Sequence, residues 1–260
     1  MSKQPIGMFD SGVGGTSIWK EIHELLPNEN TIYLADSKNA PYGIKSKNDI
    51  LKLSVKNTEI LLDRNCKIIV VACNTATTNA INYLRANYDV PFIGIEPAIK
   101  PAALRSTSKT VGILATKGTL SSSLFHSTAE NHASGIKIIE RVGTGLVRLI
   151  ESGKVRSIET KTLLEEYLEP MISAGIDYLV LGCTHYPYLI PVLKEMLPEH
   201  VKIIDSGEAV ALQTKAILEN NKLLNLSKYN PDLQFYSNSN LSVLRSFIDD
   251  ENAKISSLEF

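Results

Sequence analysis

The sequence predicts an α/β protein built on parallel sheets and divided into two similar lobes. Three observations lead there. Short apolar, β-branched runs such as Lys67-Ile-Ile-Val-Val-Ala72 lack in–out alternation, which suits strands buried on both faces. Longer amphipathic stretches separate these runs, and strand–helix alternation implies parallel strands joined by right-handed crossovers. The chain also echoes itself. Lys67–Thr75 and Asp177–His185 share an apolar strand, a small residue, a cysteine and then polar residues, and Phe9-Asp-Ser-Gly12 is repeated as Ile204-Asp-Ser-Gly207. The echoes have different separations, which speaks against a simple tandem duplication. They fit two similar lobes between which the chain crosses over and returns.

In order along the chain, apolar runs predict strands at Ile6–Phe9, Thr31–Ala35, Lys67–Ala72, Phe92–Ile95, Thr110–Ala115, Ile136–Glu140, Tyr178–Gly182 and Val201–Ile204. Amphipathic stretches predict helices at Thr16–Leu26, Asp49–Asp63, Ala76–Ala86, Leu120–Glu130, Ile158–Ser173, Leu189–Leu197 and Glu208–Asn220. Ser46-Lys-Asn-Asp49 has the hydroxyl and the carboxylate three residues on that start a helix. Beyond Asn221 the pattern weakens. A short strand is expected at Leu233–Tyr236, a loop at Ser237-Asn-Ser-Asn240 and a last helix at Leu241–Ile248.

The 260 residues are 43% hydrophobic and 21% charged, a globular balance that argues against disorder. A net charge of −1 lacks the basic footprint of a nucleic-acid binder. Apolar runs such as Ile68–Cys73 are far too short to span a bilayer, and the N-terminus shows no secretory apolar segment. Three scattered cysteines, Cys66, Cys73 and Cys183, do not form a disulfide framework, so free thiols in a reducing cytoplasm are expected.

In open α/β sheets, ligands sit beyond the carboxyl ends of strands. Polar groups gather there at Asp10-Ser11, Pro41-Tyr42-Gly43, Cys73-Asn74-Thr75 and Cys183-Thr184-His185. Two facing lobes would bring one cysteine to each side of a bound molecule. Inverting a carbon that bears an acidic hydrogen needs such a pair, a base on one face and an acid on the other. Both cysteines precede expected helix starts, whose amides favour a thiolate. Asp10 is placed to assist one thiol and His185 the other. Ser11, Asn74, Thr75 and Thr184 offer hydrogen bonds to a carboxylate or an ammonium.

Each of these residues also has a plainer reading. A lone strand-end cysteine packs as a small hydrophobe, and Cys66, without polar neighbours, is read that way. Gly12-Val-Gly-Gly15 is a turn able to bind an anion or to let backbone approach a small ligand, and it lacks the Walker lysine and the G-x-G-x-x-G spacing. By pattern alone Glu151 is a solvated carboxylate and Tyr42-Gly43 a surface turn. His23, His126, His132 and His200 read as surface or helix residues. A thiolate metal site using Cys73, Cys183 and His185, and an amino-acid-binding module without catalysis, both remain open at this level.

Taken together, Phe9-Asp-Ser-Gly-Val-Gly-Gly15, Ala40-Pro-Tyr-Gly43, Ala72-Cys-Asn-Thr-Ala-Thr77 and Gly182-Cys-Thr-His-Tyr-Pro-Tyr188 resemble the glutamate racemases of the aspartate/glutamate racemase family. The resemblance runs from Ile6 to about Tyr236. His185 and the Asp10-Ser11 opening match the glutamate branch, with aspartate or another amino acid as the alternative substrate. The resemblance implies two pseudo-symmetric α/β lobes, residues 1–97 with 207–260 and residues 98–206, with the active site in the cleft between them. It implies racemisation of L-glutamate to D-glutamate by two-base proton transfer, with no cofactor and no metal, supplying bacterial peptidoglycan in the cytoplasm. Carried over by position, Cys73 and Cys183 are the acid/base thiols, Asp10 and His185 assist them, and Glu151 supports the second. Ser11, Tyr42, Gly43, Asn74, Thr75, Thr116 and Thr184 match substrate contacts. The expected partner is the small-molecule substrate, without nucleic acid or membrane. The tail after Tyr236 matches least and is a candidate contact for a homodimer.

Overall fold

The computed structural model describes residues 3–227 and 230–260, with His132 described by its backbone alone, so its side chain lies outside the described residues. In chain order the elements are β1 (Ile6–Asp10), α1 (Thr16–Leu25), β2 (Thr31–Ala35), α2 (Lys47–Asp63), β3 (Ile68–Val71), α3 (Asn74–Asn87) and β4 (Phe92–Gly94). They continue as α4 (Ile99–Arg105), β5 (Thr110–Ala115), α5 (Lys117–Leu120), α6 (Ser123–His132), β6 (Lys137–Val142), α7 (Leu146–Glu151), α8 (Ile158–Ser173) and β7 (Tyr178–Gly182). The last are α9 (Ile190–Met196), β8 (Lys202–Ile204), α10 (Gly207–Asn220), β9 (Leu233–Ser237), α11 (Leu241–Ser246) and β10 (Lys254–Ser257).

Two parallel sheets result. One is six-stranded, in the order β10-β9-β2-β1-β3-β4, and the other four-stranded, in the order β6-β5-β7-β8. The segment β2-β1-β3-β4 of the first repeats the whole of the second, position for position. The first eight strands therefore do run in tandem order, which corrects the expectation drawn from the unequal echoes. The cysteine echo pairs β3 with β7, which are equivalent strands. The Asp-Ser-Gly echo pairs β1 with β8, which are not, and it is this echo that misleads. After β8 the chain returns to add β9 and β10 to the first sheet, with β9 in parallel register on β2.

Side-chain alternation along each buried strand feeds two cores. Ile6, Met8, Ile68 and Val70 share one apolar cluster with Leu114, Leu179 and Leu181 of the second sheet, through α1, α8 and α10. Phe9, Leu34, Ile69 and Val71 point the other way, against α2 and α3. Val111, Ile113 and Val180 do the same in the second sheet, against α4 and α6.

Local chemistry accounts for the departures from expectation. Leu120–Glu130 divides into α5 and α6 because Ser122 Oγ accepts from Phe125 N and restarts the helix. Helix α3 begins at Asn74 because Cys73 itself is its cap, Sγ accepting from Ala76 N at 3.4 Å. After Cys183 no α-helix starts at once. A single 3-10 turn, Tyr186–Leu189, precedes α9, with a proline near the start of each. Helix α4, which is short, and β10, which is polar and carries little apolar signal, were not expected.

The returning chain is pinned by a buried ion pair. Lys67 Nζ, just before β3, donates to Glu29 Oε2 at 2.6 Å and to the Leu223 carbonyl at 2.7 Å, while Glu29 Oε1 accepts from Asn225 N at 2.8 Å. Both side chains are almost fully buried. Removing one member of a buried pair leaves the other charge uncompensated, at a typical cost of about 3–5 kcal/mol. Glu29→Ala is therefore expected to lower unfolding free energy by about that amount in urea titration. A change under about 1 kcal/mol would show that the pair does not hold this junction.

Candidate active site between the two sheets

The carboxyl ends of four strands converge on one chamber. Asp10 ends β1, Cys73 follows β3, Thr116 follows β5 and Cys183 follows β7. The chamber is lined by Ser11, Pro41, Tyr42, Gly43, Cys73, Asn74, Thr75, Thr116, Val147, Cys183, Thr184 and His185. Every sequence-predicted site residue is therefore at its wall except Asp10 and Glu151, which stand directly behind it. Its volume is only about 10 Å³, room for about one water molecule.

Cys73 and Asp10 form one arm. The thiol hydrogen-bonds to the Asp10 carboxyl, whose Oδ2 also accepts from Gly15 N at 2.7 Å. Burial pushes Cys73 well above the usual thiol range, the negative Asp10 adds to this, and the Ala76 amide partly offsets it. Burial likewise raises Asp10, against the opposing pull of His185 and of the Cys73 and Gly15 hydrogen bonds. Cys73 and Asp10, both pushed up by burial, thus share one buried contact.

Cys183, His185 and Glu151 form the other arm. His185 Nδ1 lies 3.8 Å from Cys183 Sγ and 3.9 Å from Asp10 Oδ2, while Nε2 lies 2.6 Å from Glu151 Oε1. Burial disfavours the imidazolium, but the bonds to Cys183 and Glu151 and the charges of Asp10 and Glu151 outweigh it, so His185 titrates well above its ordinary value. Burial also opposes the Glu151 carboxylate. The His185 contact and the Val13 and Ser37 hydrogen bonds overcome it and hold Glu151 below the ordinary carboxylate value.

The glycine-rich turn receives an anion and a ring from the chain itself. Glu151 Oε1 also accepts from Val13 N at 2.6 Å, and Oε2 accepts from Ser37 Oγ at 2.9 Å. A Cβ at Gly12 would come within 1.9 Å of Glu151 Oε1, and one at Gly14 within 2.2 Å of His185 Nδ1. The bare backbone admits two side chains from the second half of the chain. Glu151 is correspondingly no solvated carboxylate, its side chain being 14% exposed. Tyr42 is no surface residue either. It is 1% exposed, with its hydroxyl donating to Asp36 Oδ2 and accepting from Asn57 Nδ2.

Further contacts join the two sheets' strand ends. Thr75 Oγ1 and Thr116 Oγ1 are 2.8 Å apart, Ser17 Oγ donates to the Thr184 carbonyl at 2.9 Å, and the Thr16 and Tyr188 hydroxyls are hydrogen-bonded. Asn74 is 3% exposed, yet neither its Oδ1 nor its Nδ2 has a partner among the described residues. Ser37, Ser17 and Tyr188 were not anticipated. Asp36-Ser37 at the end of β2 is a third Asp-Ser pair beside Asp10-Ser11 and Asp205-Ser206, a signal that would have found Ser37. Cys66 is buried away from the site, and burial takes its thiol to about 12. No group of three or more His, Cys, Asp or Glu among the described residues is arranged to hold a metal ion.

Residues 6–214 match the Asp/Glu/hydantoin racemase family. The chain belongs to this family. Among its racemase relatives, the glutamate racemase of Herpetosiphon aurantiacus is 44% identical over 225 residues, covering 86% of this chain and 89% of the relative. The same architecture occurs in the glutamate racemase of Francisella tularensis in complex with D-glutamate, at 31% identity and a TM-score of 0.85, covering 100% of this chain and 98% of that one. It occurs again in the Escherichia coli glutamate racemase in complex with L-glutamate and the activator UDP-MurNAc-Ala, at 33% identity and a TM-score of 0.86, covering 98% of both chains. Racemase architecture thus extends through β9 and β10, beyond the span of the family match.

His185 and Glu151 stabilise the fold as a charged pair over a definite window. The raised His185 contributes fully below its ordinary value of 6.5 and loses its contribution as pH rises through the raised one. The lowered Glu151 contributes fully above its ordinary value of 4.5 and loses it as pH falls through the lowered one. In Glu151→Gln the acceptor remains and the charge does not, so the His185 titration followed by imidazole NMR is expected to move down. An unchanged titration would show that Glu151 does not set the protonation of His185.

Proposed function

We propose that this protein interconverts L- and D-glutamate by moving one proton off, and another onto, opposite faces of Cα. The observation that carries this reading is the pair Cys73 and Cys183. They occupy equivalent strand ends of two topologically matched sheets, line one chamber, and each has its own proton-handling neighbour. The relatives that bind L-glutamate and D-glutamate support the choice of substrate.

In the L-to-D direction the Cys183 thiolate takes the Cα proton, and the electrons of the C–H bond pass onto the α-carbon and its carboxylate. Cys73 then delivers its S–H proton to the other face and becomes the thiolate. The product is D-glutamate, with no net oxidation, and solvent exchange resets the two sulfurs. Assigning Cys183 to the L-enantiomer follows the family resemblance. The raised Cys73 suits it, since this thiol rests protonated and ready to donate. Asp10 exchanges protons with Cys73. His185, protonated and anchored by Glu151, presents Nδ1–H to Cys183, which makes Glu151 a positioning residue. Asn74, with both polar atoms unpaired among the described residues, is ready to take a carboxylate or an ammonium, alongside Ser11, Thr75, Thr116 and Thr184 and the backbone at Tyr42 and Gly43.

A chamber of about 10 Å³ is too small for glutamate, so binding widens it. We take residues 1–97 with 207–260, and 98–206, as the two units that part, breaking contacts such as Thr75–Thr116. No described helix is long and apolar enough to cross a membrane. We place the reaction in the cytoplasm, where D-glutamate enters peptidoglycan synthesis.

Two bases leave an isotopic signature. In deuterated buffer with L-glutamate and no added cofactor, D-glutamate formed in the first turnovers is expected to carry deuterium at Cα, while the remaining L-glutamate stays largely protiated. Mass spectrometry of the separated enantiomers reads this directly. Substantial protium in early D-glutamate would mean one base carrying the same proton between faces, and would exclude the two-thiol mechanism.

A further inference from the structure

A second cavity, of about 340 Å³, adjoins the catalytic chamber and shares four of its walls, Pro41, Gly43, Thr116 and Val147. Its remaining lining is unusual for a chain with a net charge of −1. It includes Lys117 and Arg148, both exposed, and no acidic residue. Neither cation meets a carboxylate within 4.0 Å among the described residues. Between them the walls are apolar, and Ile44 and Val142 are 67% and 38% exposed there. Low-dielectric walls lined by charge of one sign focus field lines into a cleft and concentrate the counter-ion.

We propose that this cavity is the vestibule through which substrate reaches the chamber, and that Lys117 and Arg148 capture a small dicarboxylate there by charge. The proposal rests on the glutamate reading above in one respect, that the substrate is an amino acid with a net negative charge. Glutamate at neutral pH has two carboxylates and one ammonium, hence a net charge of −1. Held at the shared wall by its side-chain carboxylate, it points its α-carbon at the thiols when the Thr75–Thr116 and Gly43–Thr116 contacts give way. The two cations act before chemistry. They raise the local concentration of the anion, and so kcat/KM, without touching the proton-transfer step that sets kcat.

The test is the double variant Lys117→Gln/Arg148→Gln and its charge-reversed counterpart Lys117→Glu/Arg148→Glu, both at exposed positions, assayed across ionic strength. Two charges lost at solvent-screened distances are expected to lower kcat/KM by about five-fold at low salt. Charge reversal should lower it further, while kcat stays within about two-fold of the parent. The difference should vanish near 1 M salt, where the screening length is about 3 Å. Glutarate, a dianion that cannot racemise, serves as the binding probe. Its affinity for the parent should fall more steeply with salt than that of glutamate, and fall further in both variants. An unchanged kcat/KM and an unchanged salt slope in the Gln variant would overturn the vestibule. If the parent does not racemise glutamate, the activity reading fails, and salt-dependent glutarate binding still decides the vestibule alone.

Discussion

The site depends on one carboxylate reaching a backbone that has no side chain in its way. Glu151 ends a short helix in the second half of the chain, and its Oε1 takes hydrogen bonds from Val13 N and His185 Nε2, both at 2.6 Å. Only bare glycines at 12 and 14 leave room for Glu151 and His185 together. The contact orients the imidazole and, with the Cys183 bond and the Asp10 charge, raises its titration above the ordinary value despite burial. It also ties the β1 turn to α7, so the distance between the two halves and the chemistry of the Cys183 arm are set by the same bond. Charged hydrogen bonds of this kind are strong where water is excluded, and leaving either partner unpaired there is costly.

Around that contact the molecule is symmetric in topology and asymmetric in chemistry. The orders β2-β1-β3-β4 and β6-β5-β7-β8 put the two thiols at equivalent strand ends. Their helpers come from different places. Asp10 reaches Cys73 from the neighbouring strand β1, whereas His185 reaches Cys183 from two residues along the same turn. The turn after Cys73 becomes a helix whose amide bonds the sulfur, and the turn after Cys183, interrupted by prolines, does not. A repeated fold thus places two equivalent thiols at one chamber, and local sequence gives one an aspartate and the other a histidine as neighbour.

Much of this was legible in the residues, and what was not has physical reasons. Buried parallel strands announce themselves as unalternating apolar runs, so β1 to β5 and β7 fall close to expectation. β10, half exposed and polar, carries no such signal. The strand-end rule located the polar clusters that line the chamber, because chemistry there depends on chain direction alone. Glu151 was legible only through family resemblance, and Tyr42 through that and its strand-end cluster. By pattern each looks like surface, and each is drawn inward by a partner, Glu151 by Val13, 138 residues away, and Tyr42 by Asp36, six residues back. Ser37 was missed for the same reason, its meaning resting on a carboxylate 114 residues later. The tandem repeat was hidden by an accidental second echo at strands that are not equivalent.

The central claim is that Cα sits between two sulfurs. A crystal structure of the protein with glutamate bound tests it most directly. The account predicts a widened chamber with the α-carbon between Cys73 Sγ and Cys183 Sγ, each approaching from its own face at about 3–3.5 Å. It also predicts Asn74 bonded to the amino-acid head group and Glu151 still on Val13 N. Glutamate bound with both sulfurs on one side of Cα, or with either turned away into the core, would contradict it.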